Sequence, residues 1–394
     1  MKPLAITHYT VASALGLGLA PTLAALRAGR TGLVPRDFET AHIGTWLGVV
    51  DAVEAVTLAP ELADHDCRNN RLAELGLRAD GFGDAVRQAA RRWGTTRVGV
   101  FLGTSTSGIL QTEIAYRHRD PATGALPAWL HYAQTHNTYS VARYVRAELG
   151  LQGPAHVVST ACSSSAKVFA AAQRLIEQGV VDAAVVGGVD SLCMTTLYGF
   201  KSLELVSADI CRPWDAQRNG LSLGEAAAFA LLERDAAAPR GWLLGAGESS
   251  DGHHMSSPHP EGAGAAAAMH QALASAGLSP GDVDYLNLHG TGTPGNDAAE
   301  DRAVSAVFGP ALPCSSTKGY TGHTLGAAGG VEAAVALLAL EHGFMPAGLN
   351  VQQPDPALRS LYLREPREGR LRVAASNSFG FGGSNCSLLF GAAR

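Results

Sequence analysis

One stretch constrains the fold more than any other. From Leu325 to Leu340 the chain is built only of Gly, Ala, Val and Leu around a single charged residue, Glu332. A helix that is apolar on every side has to be buried on every side, so the protein must be large enough to enclose it. The carboxylate it carries inside needs a cationic partner or strong donors; Lys318, His323 or a bound cation could serve. Composition agrees with deep burial. Of 394 residues, 46% are hydrophobic and 16% are charged, with 46 glycines, against about a quarter charged in typical soluble domains. Disorder needs the opposite balance. A net charge of −5 with no basic stripe argues against nucleic acid as a partner. No uninterrupted run of about 18 apolar residues exists, so no membrane span is expected. The apolar N-terminal stretch from Val11 to Leu26 imitates a signal peptide, but His8, Tyr9 and Thr10 break it, and Gly16, Gly18 and Pro21 read as a loop before a helix. The six cysteines contain no C-x-x-C pair and are too sparse for a disulfide framework, which fits a reducing, cytoplasmic setting.

The pattern alternates strands and helices. Arg97–Leu102 is a short apolar run ending at Gly103, and His156–Ser159 is another. The helix that follows carries Val168, Ala171, Ala172, Leu175 and Ile176 on one face and stops at Gly179. Asp182–Val189 reads as the next strand, and such a strand–helix–strand unit predicts parallel pairing. The second half repeats the theme, with strands at Tyr285–Leu288, Cys314–Thr317, Arg372–Ser376 and Cys386–Phe390. A seam near Asp235–Trp242 divides residues 1–238 from 239–394. In open α/β sheets, sites form at the C-terminal strand ends, and here those ends carry small, polar or reactive residues.

Cys162 lies between a buried strand and the first turn of a helix. Unpaired N–H groups and the helix dipole favour a thiolate there, and small neighbours leave the sulfur approachable. His289 ends a strand and opens His289-Gly290-Thr291-Gly292-Thr293; His323 precedes the apolar helix. Neither has a metal-ligand spacing. Lysine occurs only four times among 30 basic residues, so Lys318 in a Gly/Ser/Thr loop is chemically distinct, a compact charge that arginine does not imitate. The Gly-rich segments do not make a dinucleotide site, because no G-x-G-x-x-G opens a helix after the first strand.

Five segments, Thr160-Ala161-Cys162-Ser163-Ser164, Arg212-Pro213-Trp214-Asp215, His289–Thr293, Lys318–His323 and Asn377–Asn385, resemble in order the motifs of the elongating β-ketoacyl-ACP synthases. The resemblance implies the thiolase fold: two similar halves in an αβαβα layering, normally assembled as a dimer, with the strand from Asp182 to Val189 expected to help form that surface. It implies that Cys162 accepts an acyl chain from a carrier-protein thioester. His289 and His323 would hold the malonyl thioester carbonyl and promote decarboxylation, with Lys318 and Glu332 organising His323 and the local field. The N–H groups of Cys162 and Phe381 would form the oxyanion hole, Phe379 and Phe381 a gate, and Thr291 and Thr293 the contacts to the phosphopantetheine arm. Asn287, Glu300, Glu332, Ser376 and Asn377 fall where some relatives bind a structural Na or K ion; no other cofactor is required. The Cys, His, His set points to decarboxylative elongation rather than to thiolase or priming chemistry.

The stretch Gly103–Gly108 carries hydroxyls beside the acyl pocket implied by the family, where Thr106 and Gly108 are the lining candidates. With Thr45-Trp46-Leu47-Gly48 and Cys67-Arg68-Asn69-Asn70-Arg71, it is similar to the ketosynthases of aryl-polyene, xanthomonadin-like pigment clusters. Their partner would be a ketosynthase-like chain-length factor, in place of a homodimer. Arg68 and Arg71 are candidate docking residues for an acidic acyl carrier protein, with a solvated helix face as the alternative. Competing readings are a housekeeping fatty-acid elongation synthase, a non-catalytic chain-length-factor-like subunit, and a cysteine hydrolase, which would leave Lys318 and the second histidine without a role.

Overall fold

The apolar runs of the sequence become the interior of a sheet. The computed structural model describes residues 2–393. Ten principal strands carry the fold: β1 (Leu4–Ser13), β2 (Val98–Gly103), β3 (Ala155–Val158), β4 (Ala183–Asp190), β5 (Ala226–Glu233), β6 (Gly241–Ser250), β7 (Tyr285–Asn287), β8 (Pro313–Ser315), β9 (Val373–Gly380) and β10 (Ser384–Ala392). Five helices position the site: α1 (Arg68–Arg78), α2 (Ser164–Glu177), α3 (Ala263–Ala276), α4 (Pro294–Phe308) and α5 (Ala328–His342).

The two halves share one topology. In the first, β1 lies antiparallel to β5, β5 antiparallel to β4, β4 parallel to β2, and β2 parallel to β3. In the second, β6 lies antiparallel to β10, β10 antiparallel to β9, β9 parallel to β7, and β7 parallel to β8. The first strand of each half therefore sits beside its last. The halves join where β1 meets β6, through Leu4, Ala5 and Ile6 against Leu243, Trp242 and Gly241, so that with two short additional strands they form one twelve-stranded sheet. The chain crosses from one half to the other between Glu233 and Gly241. The apolar N-terminal stretch runs from the end of β1, which is paired on both sides, through the turn at residues 16–18 into a helix over Leu19–Ala28.

Helices α2 and α5 form the central layer, packed on each other and on strands of both halves. Small residues permit this. A Cβ on Gly329 would lie 2.6 Å from the backbone nitrogen of Ala166, so the two helix backbones are in contact. Outer helices cover each half, α1 and its neighbours over the first and α3 with α4 over the second. The layering is the αβαβα expected. The segment Leu325–His342 is long and apolar enough to cross a membrane, with mean hydropathy 1.3, yet 89% of it is buried in the protein core.

One expectation changes. Strand β4 is paired to β2 on one side and β5 on the other, with every residue buried, so it has no free edge to offer a second subunit. An all-apolar run marks a sheet interior, and that is where it lies. The partly buried β3, paired only to β2, is the free edge of this half.

Candidate active site

The nucleophile sits on a strained turn. Ala161 has φ 52°, a left-handed conformation uncommon for a residue with a side chain. It is held by Ser163 and Ser164, whose hydroxyls donate back to the carbonyls of Thr160 and Ala161. Glycines let the turn approach the sheet: a Cβ on Gly103 would lie 2.3 Å from Ser165 N, and one on Gly380 would lie 2.6 Å from Thr160 O. Cys162 is thereby presented at the start of α2 with 4% of its surface exposed.

The second half supplies the groups around it. His323 Nε2 lies 3.0 Å from Cys162 Sγ, and its main chain is fixed by Ser222 O and Gly224 N at 2.7 and 3.0 Å. The His289 ring stands 5.3 Å from that of His323 at 83°. Glu300, on α4, accepts from the backbone N–H groups of His289 and Gly290 at 2.8 and 2.7 Å. Lys318 Nζ contacts Glu332, the carbonyl of His289, and His289 Nδ1 at 3.3 Å. The buried acid of the apolar helix therefore pairs with Lys318, and Ser378 Oγ completes its contacts at 3.5 Å. Since the ammonium donates to Nδ1, the proton of a neutral His289 sits on Nε2. Burial, reinforced by the Lys318 charge, holds both histidines well below the usual imidazole range, so they are neutral hydrogen-bonding groups at neutral pH.

Burial also corrects the expected thiolate. It pushes the Cys162 thiol up to about 12; Lys318 and the backbone N–H of Phe381, which faces the sulfur, pull it down, while Asp190 adds to the rise. The resting sulfur is a thiol.

A cleft opens from Cys162, His289 and His323 past Thr291, Thr293 and the two phenylalanines. Thr291 and Thr293 are 2.8 Å apart through their hydroxyls. Phe379 and Phe381 occupy the tip of the β9–β10 hairpin, Phe379 against His289 at 5.7 Å and Phe381 against Phe200 at 5.4 Å. Gly382 and Gly383 there have φ 79° and 74°, backbone that glycine adopts freely. Phe200 was not anticipated, and nothing in its local sequence marks it.

Several candidates lie elsewhere. Arg68 is inside the protein, forked onto the fully buried Glu225 at 2.8 and 2.5 Å and also touching Glu54. Arg71 forks onto Asp66. Arg68 is therefore not a free cation, in contrast to the docking expectation, because α1 turns it toward the sheet, whereas Arg71 stays on the partly exposed helix face. The hydroxyls of residues 104–107 are all engaged within the fold. Those of Thr104, Ser105 and Thr106 donate to Asp190, and that of Ser107 to the carbonyls of Thr135 and Asn137. Thr106 and Gly108 do not border the cleft; a Cβ on Gly108 would lie 2.5 Å from Thr135 O. Of the cation candidates, Glu332 is committed to Lys318. Asn287 Oδ1, Ser376 Oγ and Asn377 Oδ1 are buried oxygens without a partner. Glu300 touches Asn377 at 3.2 Å, and burial pushes its carboxyl up to about 7. This donor set suits a hard monovalent cation. Cys162, His289 and His323 bring their donor atoms within 4.8 Å of one another, as a metal site would, but the Lys318 ammonium against His289 opposes a cation there.

A cysteine on a strained helix start, two neutral histidines and a buried lysine–glutamate pair, on two topologically equivalent halves, define an acyltransferase of the thiolase fold. The family descriptions "Beta-ketoacyl synthase, N-terminal domain" and "Beta-ketoacyl synthase, C-terminal domain" match residues 82–238 and 240–352, and the chain belongs to the β-ketoacyl synthase family. It is 35% identical over 383 residues to nodulation protein E of Rhizobium meliloti (strain 1021), covering 93% of each chain. It is 41% identical over 268 residues to the mitochondrial 3-oxoacyl-[acyl-carrier-protein] synthase of Arabidopsis thaliana, a match that takes in 63% of this chain and 58% of that protein. Among solved structures, the ketosynthase ApeO in complex with its chain length factor ApeC from Xenorhabdus doucetiae superposes with a TM-score of 0.91 at 39% identity, covering 100% of this chain and 98% of that one.

Proposed function

We propose that this chain catalyses decarboxylative Claisen condensation between an acyl group carried on Cys162 and a malonyl group on a carrier protein. The observation that carries it is the placement of Cys162 Sγ 3.0 Å from His323 Nε2, with His289 beside it and backed by Lys318. Cys162 attacks the acyl thioester, and its proton passes to the departing pantetheine sulfur. The resulting acyl-Cys162 presents its carbonyl oxygen to the N–H groups of Cys162 and Phe381. The malonyl thioester then enters along Thr291 and Thr293, and the Nε2–H groups of His289 and His323 hold its carbonyl. Loss of CO2 places negative charge on that oxygen, where two fixed donors in a buried site stabilise it most. The carbanion attacks acyl-Cys162, the C–S bond breaks, and the released thiolate takes a proton from solvent. The product is a β-ketoacyl thioester two carbons longer. Asn287, Glu300, Ser376 and Asn377 would hold a structural Na or K ion, whose charge would offset that of Glu300.

The narrower reading is elongation of conjugated chains in a pigment-type pathway, in the cytoplasm, with a ketosynthase-like chain-length factor as the second subunit and the free edge at β3 as one surface for it. It rests on the sequence resemblance to aryl-polyene ketosynthases and on the pairing of the Xenorhabdus relative. A homodimeric fatty-acid elongation synthase is the alternative. Incubation with acyl-carrier and malonyl-carrier tests the chemistry: intact-mass detection of an acyl adduct on Cys162, CO2 release and β-ketoacyl product are expected. Acyl hydrolysis without carbon–carbon bond formation would refute it. Co-expression with candidate partners, followed by elongation of saturated and conjugated acyl-carriers, tests the pathway; full activity alone with a preference for saturated chains would return it to fatty-acid synthesis.

A further inference from the structure

Asp190, at the end of β4, is fully buried, and no ion pair to it is formed among the described residues. Its carboxylate is satisfied by neutral donors from two directions. From the first half come the backbone N–H groups of Ser105 and Thr106 at 2.8 and 3.0 Å and the hydroxyls of Thr104, Ser105 and Thr106. From the second half comes Gly326 N at 2.6 Å. Gly326 stands three residues beyond His323, and between them Leu325 has φ 53°. A leucine does not adopt that conformation without compensation, and a hydrogen bond to a buried carboxylate is among the stronger compensations available. The approach is so close that a Cβ on Gly326 would lie 2.7 Å from both Asp190 Oδ2 and Ser105 N. The side chain of Leu325 is thereby set into the apolar cluster with Leu110, Leu192 and Leu221.

We propose that Asp190 is a positioning residue for His323: by gripping Gly326 N it holds the strained Leu325 turn, and so fixes the imidazole of one half against the sulfur of the other. The inference rests on the condensation reading above only in supposing that His323 works on groups at Cys162. Nothing else described ties the loop at residues 104–106 to the loop behind His323 through one side chain. Displacing a reacting group by about an ångström can cost about a hundredfold in rate, so the contact has leverage without touching substrate.

The test is Asp190→Asn in the full chain, with the partner that gives the wild type its activity. An amide cannot accept from all the donors now facing the carboxylate. Condensation kcat is expected to fall about 10- to 100-fold while the KM for malonyl-carrier stays within about twofold, because neither Asp190 nor Gly326 lines the cleft. Leu325→Gly relieves the strained turn without needing the clamp, so adding it to Asp190→Asn is expected to restore at least about a third of the lost rate. A purely structural role would move the melting temperature, leave kcat per folded enzyme unchanged and show no such rescue; that result overturns the proposal. If Asp190→Asn does not fold, Gly326→Ala opens the same contact from the other side, and wild-type kcat in that variant overturns it equally. If wild-type enzyme itself gives no condensation, that reading fails. The clamp is then read from the single-turnover rate of Cys162 acylation, because His323 Nε2 lies 3.0 Å from the thiol that must lose its proton; that rate should fall in the same variants and recover with Leu325→Gly, and an unchanged acylation rate overturns it.

Discussion

The two halves of this molecule have the same strand order and almost nothing else in common at the ends of those strands. The first half delivers the sulfur, on a helix whose opening turn is serine and alanine, and carries Asp190, bound by the hydroxyls of residues 104–106 and reaching Gly326 of the second half. The second half delivers His289, Lys318, His323, Glu332 and the phenylalanine hairpin. In the proposed chemistry one half therefore holds the acyl group and the other manages charge. A repeated scaffold has produced a single asymmetric site, because equivalent strand ends face each other across α2 and α5 and contribute unlike chemistry to the same space.

That division predicts separable functions. Cys162→Ala should abolish acyl transfer to the protein completely, while malonyl-carrier decarboxylation, which belongs to the second half, stays measurable by CO2 release. Acylation retained in that variant would break the comparison outright. Lys318→Met attacks the other side. It leaves Glu332 buried without its cation, a change that typically costs about 3–5 kcal/mol, and it frees Nδ1 of His289. Turnover should fall at least about a hundredfold. Adding Glu332→Leu should bring back much of the melting temperature and none of the turnover, separating the fold from the field that the pair sets up.

The state of the sulfur sharpens the comparison further. With its thiol raised to about 12, Cys162 stays protonated at neutral pH, and the reactive fraction grows as pH rises. Alkylation by iodoacetamide should therefore climb throughout pH 7 to 10 at about tenfold per unit. A plateau below pH 8 would mean that Lys318 and the helix start outweigh burial. Phe381→Ala should have a smaller effect, a loss of binding order in which malonyl-carrier reacts before the enzyme is acylated, visible in pre-steady-state mixing; unchanged order and rates would leave the hairpin without a gating role. Arg68→Ala should affect turnover least. It uncovers the buried Glu225 and should lower stability by about 3–5 kcal/mol, with the KM for carrier within about twofold of wild type. A large rise in that KM would restore Arg68 as a docking residue.

These cases also mark what the sequence made legible. Cys162, His289, Lys318 and His323 stand in short motifs whose function depends on local backbone, at strand ends and helix starts, so each could be placed from its neighbours alone. Glu332 was legible for a different reason, as the lone charge on an apolar helix. Asp190 obeyed the same rule, an acid ending an apolar strand, and could have been found by it. Arg68 and strand β4 were misplaced because their surroundings are set by distant segments, as are the hydrogen-bond partners of the hydroxyls at residues 104–107. Glu225 lies far along the chain from Arg68, and whether a strand is interior or edge depends on which neighbours pair with it. The thiolate expectation weighed the helix start and not the depth of the pocket, which only the packed structure supplies.

The contact between Gly329 and Ala166 has a consequence for how such a site can change. The helices that follow the nucleophile and the imidazole already touch at Gly329, where only the methyl of Ala166 stands between their backbones. Enlarging either residue would push the helices apart, and loss of that one methyl is all that is left to bring them closer. The frame behind the site is thus near its tightest spacing, and the loops around the cleft have far more room to vary.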